Sequence, residues 1–390
     1  VRERSIHADG MSLLGRAFAR WAAGTVVLCL GALLYLHHPH YAEKNALAWR
    51  SLFRLLFWGW IVVGLPYVML VLRRFAPTPR CDRSDSLLML LGAAGRLRAL
   101  LEGRDNAKRP LAKPMKSALL ALLVKGFFLP LMTGFFLGHL GAVSSTWADL
   151  RGLGAPPLFP LEGLSTASVQ AFATQMAAFL PRLLPTGADI TLLLHPGRWA
   201  DGAAERAFGF ATDGVFLIDC GFAFFGYLFE SRFLGNKTKS VEPTMLGWMA
   251  AIFCYPPFNS VLGTWLPMGG KAVITARPIL LGLRAATLGF YMVYAWATVA
   301  FGMKFSNLTN RGIVTKGPYR FLRHPAYVCK GIAWWLEQVP NLDAGTVASL
   351  IGINIVYALR AYTEERHLRA DPAYREYAKK VPWVLIPGVW

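Results

Sequence analysis

Apolar residues in this chain fall in long runs, not in the alternating or one-sided patterns of half-buried strands and helices. A membrane-crossing helix needs about 20 apolar residues at ~1.5 Å rise each. Trp21 to Leu36, Leu52 to Leu72, Ala118 to Val143, Phe208 to Phe229, Met245 to Leu266 and Ile279 to Met303 approach or exceed that length. Pro256-Pro257 breaks or kinks the fifth run. Tyr327 to Ala358 is apolar but interrupted at Pro340-Asn341-Leu342-Asp343, and reads as a hairpin of two helices. The expected fold is all-α, a polytopic transmembrane bundle of about eight membrane helices. Ser86 to Leu101 and Ala167 to Leu184 look amphipathic and suit the membrane interface or a cap on the bundle.

Composition supports this reading. Of 390 residues, 55% are hydrophobic and 16% charged, against roughly 25% charged in soluble domains. That excludes a disordered chain and argues against a soluble enzyme. The net charge is +19, and its placement orients the helices. Arg73 to Lys116 holds eleven Lys/Arg and four acids. Basic residues also follow the fourth run (Arg232, Lys237, Lys239) and the sixth (Lys304, Arg311, Lys316, Arg320), and recur in the tail. With Arg2, Arg4, Arg16 and Arg20 inside, all of these face the cytoplasm. Ser144 to Ala207, with four Lys/Arg, then lies outside. The positive excess is read as a topology signal and an attraction to anionic lipid. No nucleic-acid motif accompanies it, so no nucleic-acid partner is expected.

Val1 to Ala17 is too polar for a secretory signal, so the first run is expected to stay as a span. Cys29, Cys81, Cys220, Cys254 and Cys329 are too far apart in sequence for a metal knuckle or a redox pair, and no metal site is expected. Lys125 and Asp219 lie inside spans, where charge is costly. They read as an ion pair or as a polar wall for a lipid headgroup.

The densest chemistry follows the sixth run. Gly317-Pro318-Tyr319 is a turn signal. Arg323-His324-Pro325 follows, and Pro325 suits the first turn of a helix whose N–H groups can receive a carboxylate or phosphate. Tyr327 lies one turn further in. On the returning helix Arg360 and Glu364, four apart, share one face, with Glu365 about 100° round. The hairpin thus gathers a guanidinium, an imidazole, two carboxylates and aromatic rings at the membrane surface. Carboxylates there can hold an ammonium or ribose hydroxyls, and rings a sulfonium.

These residues resemble the isoprenylcysteine carboxyl methyltransferase family and its relatives, the membrane phospholipid methyltransferases. The matching residues are Gly317-Pro318-Tyr319, Arg323-His324-Pro325-Ala326-Tyr327 with Gly331, and Arg360 with Glu364-Glu365 and Leu368. The ending Tyr374-x-x-Tyr377-x-x-x-Val381-Pro382 matches too. The resemblance divides the chain into an N-terminal transmembrane region, 1–270, with a cytoplasmic basic loop 73–116 and an outer loop 144–207, and a methyltransferase module, 271–390. It implies an S-adenosylmethionine pocket open to the cytosol and formed by Thr315, Gly317, Pro318, Tyr319, Arg323, His324, Pro325, Tyr327, Glu364 and Glu365. It further implies a lipid or prenylated acceptor entering from the bilayer, with Arg360 and Glu364 catalytic where the two meet. The setting expected is a bacterial inner membrane, with both termini cytoplasmic. No Gly-x-Gly-x-x-Gly accompanies these motifs.

The chain departs from the family in its added spans, its outer loop, and Lys330 beside the pocket. Phe301 to Asn310 reads as a connecting loop, with a pocket wall as the alternative. Two other functions stay open. Membrane sterol reductases, which bind NADPH, share the His-Pro-x-Tyr helix start, and Val381 to Pro387 echoes their tail. The Glu364-Glu365 pair disfavours them, because carboxylates repel the cofactor's 2′-phosphate. A non-catalytic lipid-binding protein built on the same scaffold is the other.

Overall fold

A computed structural model describes residues 12–37, 39–74, 113–152, 203–231, 233–256, 258–265 and 273–390, with short pieces within 95–103 and 170–178. The chain is all-α apart from one two-stranded ribbon among the described residues. Most of 73–116 and 144–207, including the larger part of both amphipathic stretches, lies outside the described residues.

Two compact units divide at Pro130–Leu131. The first holds α1 (Leu13–His37) and α2 (Pro39–Arg74). Each indole N–H of Trp21 and Trp60 bonds the other helix: Trp21 donates to the Trp60 carbonyl (3.1 Å) and Trp60 to Thr25 Oγ1 (3.0 Å). Gly24 admits the Trp60 ring, since a Cβ there would stand 2.5 Å from Cζ2. Helix α3 (Lys113–Gly152) runs on into the second unit.

That second unit contains α4 (Ala203–Leu228), β1 (Ser240–Val241), α5 (Met245–Ile252), α6 (Phe258–Trp265) and α7 (Arg277–Phe301). It ends with β2 (Thr309–Asn310), α8 (Pro325–Gln338), α9 (Ala344–Leu368) and α10 (Pro372–Lys380). Tyr291 and Tyr294 of α7 form a core with Val215 of α4 and Cys329 and Ala333 of α8.

Among the described residues, six helices are long and apolar enough to cross a membrane: Leu13–His37, Phe53–Arg74, Leu119–Arg151, Arg206–Leu228, Pro278–Lys304 and Ala344–Leu368. The difference from the eight expected has a physical cause. The fifth run is split by the prolines into α5 and α6, of 8 residues each, so each is about 12 Å long. Helix α8, with 14 residues, reaches about 21 Å. Over the described residues each is shorter than a hydrocarbon core of about 30 Å. The break in the final apolar run falls where expected, because Asp343 caps α9 by accepting from the Thr346 N–H (2.6 Å).

Candidate functional site

The site begins where the chain leaves α7. Gly317 has φ +61°, a backbone suited to glycine. A Cβ there would also stand 3.0 Å from the Ala300 Cβ. Pro318 continues a tight turn, and Pro325 takes the first position of α8 with His324 at its N-cap. The His324 side chain does not cap its own helix, and so remains available to α9.

The chain's tail fixes this segment. The backbone N–H groups of Arg323 and His324 donate to the carbonyls of Trp383 (3.0 Å) and Val384 (3.1 Å). Tyr377 donates to the Tyr319 carbonyl at 2.7 Å. Asp371 caps α10, accepts from Asn310 Nδ2 (2.9 Å) and pairs with Lys239 (3.5 Å). Burial pushes the Asp371 carboxyl up, but those hydrogen bonds and the Lys239 charge outweigh it and hold it below its ordinary value.

The two adjacent carboxylates of α9 have different surroundings. Glu365 is 5% exposed. It receives Arg323 Nη1, His324 Nε2 (3.0 Å) and the Tyr374 hydroxyl, which ties the start of α8, the end of α9 and α10 together. Burial raises the Tyr374 phenol well above its ordinary value, so it stays protonated and donates. Glu364 is more open: its side chain is 24% exposed. Its Oε1 accepts from the Tyr327 hydroxyl (2.6 Å) and Arg360 Nε (3.2 Å), while Oε2 faces His324 Nδ1 at 3.7 Å. Arg360 Nη2 bonds Asn307 Oδ1. The guanidinium also lies over the Tyr327 ring (5.1 Å) and the Tyr255 ring (5.7 Å). Its Nη1 keeps no hydrogen-bond partner among the described residues.

Above these groups lies a cavity of about 140 Å³, enough for about ten waters and so for an organic ligand. Tyr319, Arg323, His324, Tyr327, Arg360 and Glu364 line it. Thr315, Gly317, Pro318, Pro325 and Glu365 do not. Thr315 is exposed, Gly317 and Pro318 shape the turn behind Tyr319, and Pro325 starts the helix.

Several wall residues lie outside the sequence motifs. The segment from Phe301, the last residue of α7, through a short turn to Asn310 in β2 lines the cavity at Phe301 and from Phe305 to Asn310. Asn307 is held by its N–H to the Tyr227 hydroxyl (2.6 Å). Leu308 adopts φ +61° and accepts from the Glu242 N–H (2.8 Å). A non-glycine residue there stores about 1–3 kcal/mol of strain, of the kind that collects at ligand sites. Arg311 lies between Gly226, Glu230 (3.7 Å) and the Tyr227 ring (5.3 Å). Burial pulls its guanidinium pKa down, against the Glu230 charge. Glu242 and His367 face each other at 3.7 Å. Only the polarity of 301–310 hinted at this wall, because Glu242 reaches it through the β1–β2 pairing, which no local pattern announces.

Three polar atoms on cavity-lining residues are buried without a hydrogen-bond partner: Glu242 Oε2, Arg311 Nε and Arg323 Nε. One acceptor and two donors suit a ligand that carries both an ammonium or hydroxyls and a carboxylate. Ring faces at Tyr319, Tyr327, Phe301 and Phe305 complete the wall. These groups fit the methyl donor expected from the motifs.

Of the charges placed within spans, Asp219 accepts from Thr298 Oγ1 at 2.7 Å. Among the described residues, no three His, Cys or carboxylate side chains are placed to hold a metal ion.

Residues 279–370 match the profile of the isoprenylcysteine carboxyl methyltransferase (ICMT) family. The cobalt-zinc-cadmium resistance protein CzcN of Cupriavidus metallidurans is 33% identical over 123 residues, which is 31% of this chain and 50% of that protein. The chain thus spans about half the length of this curated relative. No solved structure matches. The match covers α8 and α9 with the whole helix start and acidic helix end described above, so the likeness to the isoprenylcysteine carboxyl methyltransferase family falls on residues that line the cavity.

Proposed function

We propose that the protein is an integral membrane methyltransferase that uses S-adenosylmethionine and acts on a lipidic or prenylated acceptor at the cytoplasmic face. The observation that carries this reading is the cavity itself. One wall joins Arg360, Glu364, Tyr327 and His324, and orphaned donors and an acceptor stand around it. Glu364 and Glu242 suit the donor's ammonium or ribose hydroxyls, and Arg311 and Arg323 its carboxylate. When bound, the donor supplies an activated methyl group with a neutral thioether as leaving group. The protein's task is then to orient and to exclude water.

Arg360 is placed for orientation. Glu364, Asn307 and the aromatic faces fix its guanidinium, and Nη1 remains for an acceptor carboxylate or phosphate. Such acceptors need no base. An amine acceptor does, and Glu364 is the more open carboxylate. Glu365 acts from behind: saturated by three donors, it holds His324 and Arg323 in place without touching a ligand. The basic segments orient the site toward the cytoplasm, in a bacterial inner membrane, and attract anionic lipid.

Calorimetric titration of the purified protein with S-adenosylmethionine and with NADPH tests the reading. Saturable binding of the first alone is the expected result, and binding of NADPH alone overturns it in favour of the reductase. Mass spectrometry of membrane lipids with and without the protein then identifies the acceptor, by the gain of one methyl in place of one hydrogen.

A further inference from the structure

Lys330 has no part in the reading above. It lies on α8 between Tyr327 and Trp334, at spacings that put all three on one helix stripe. Its ammonium sits 5.5 Å from the Phe216 ring centroid, 5.5 Å from that of Tyr294 and 5.2 Å from that of Trp334. The residue is half-buried. Among the described residues no oxygen lies within hydrogen-bond distance of its Nζ. The carboxylate of Asp219 is engaged instead by the hydroxyl of Thr298 (2.7 Å). Ring faces stabilise an ammonium's charge but leave its three N–H donors without a strong acceptor. An ionisable residue held this way in a membrane protein is a candidate ligand contact.

The rings around Lys330 continue to the cavity. Trp334 meets Tyr357 edge-on at 5.4 Å, and Tyr357 meets Tyr327 edge-on at 5.3 Å. The Arg360 guanidinium lies over Tyr327 at 5.1 Å and over Tyr357 at 6.0 Å. Two cations thus stand at the two ends of one uninterrupted aromatic wall, and the Arg360 end is the cavity.

We propose that Lys330 is a specificity-determining subsite on the acceptor's side: it receives the acidic head of an amphiphile arriving from the bilayer, and the aromatic wall passes that head to Arg360. This rests on the lipidic acceptor proposed above. An anionic head fills the three vacant N–H donors, a neutral head pairs with them weakly, and an amine head is repelled. Lys330 therefore selects carboxylate or phosphate amphiphiles over amines before any methyl group moves.

The test uses the full chain in neutral detergent and four matched probes: hexadecanoic acid, hexadecyl phosphate, hexadecanol and hexadecylamine. At least one acidic probe is expected to bind about 10-fold or more tighter than the alcohol, the value of one charged hydrogen bond. The acid and phosphate arms tell the two head chemistries apart. Lys330→Met should reduce that preference by about 10-fold, leaving only what Arg360 supplies, and Lys330→Arg should keep most of it. S-adenosylmethionine affinity, read in parallel, should stay within about two-fold in both variants, as for a site outside the donor cavity. Equal binding of acid and alcohol by the wild type, or a preference that Lys330→Met leaves undiminished, overturns the proposal. Acid preference without S-adenosylmethionine binding would sink the methyl-donor reading and leave this subsite standing. Donor binding without acid preference does the reverse.

Discussion

Glu364 and Glu365 are neighbours in sequence with opposite fates. Glu365 is enclosed by Arg323, His324 and Tyr374, whereas Glu364 looks into the cavity. Removing one partner of a buried charge pair costs about 3–5 kcal/mol, because the other charge is left without compensation. Glu365→Gln should therefore lower the thermal midpoint markedly, as read by the folded fraction remaining after heating. Glu364→Ala and Arg360→Ala should leave the protein folded and cut methyl transfer by about 100-fold or more, the scale of lost orientation. Wild-type transfer by either variant in a radiolabelled-methyl assay would overturn their assignment. At this scale the sequence disclosed which residue types meet. It did not disclose which of two adjacent carboxylates faces inward, because helix phase alone does not say what packs against each side. Asn307, Arg311 and Glu242 escaped notice for a related reason: each is brought to the wall by contacts to residues tens of positions away.

The decisive element is α10 with the irregular tail after it. Tyr377→Phe removes one hydrogen bond, to the Tyr319 carbonyl, and should cost about 1 kcal/mol. The larger effect expected is a weaker affinity for S-adenosylmethionine, as Tyr319 loosens. Acid should undock this element as well. The Asp371 carboxyl is held below its ordinary value in the folded protein, so its contribution is fully present above the unfolded value of about 3.9. That contribution fades as pH falls through the lower folded value. Hydrogen exchange of α10 should thus quicken at strongly acidic pH in the wild type, and Asp371→Asn should flatten the dependence. Helix boundaries were the most readable part of the chain, since Pro325, Asp343 and the Pro256-Pro257 pair act on their own backbones. The docking of α10 was legible only as a motif. Nothing in the spacing of Tyr374 and Tyr377 says that one reaches Glu365 and the other Tyr319.

For the molecule as a whole, the hydrophobic runs led to a membrane protein, and six helices of spanning length bear that out. About eight were expected and six are long enough among the described residues, where the fifth run breaks near its prolines and α8 has 14 residues. In the orientation proposed from the charge asymmetry, the tail and the cavity face the cytoplasm. A C-terminal epitope should therefore resist protease added to intact cells and be cut in inverted vesicles. Cleavage in intact cells would reverse the orientation.

The Trp383 and Val384 carbonyls that receive the backbone of Arg323 and His324 come some 60 positions later in the sequence. During synthesis the start of α8 therefore leaves the ribosome well before the residues that brace it. The wall cannot take its final form until Val384 has emerged, and a message cut short before Trp383 should yield a product whose cavity lacks this brace.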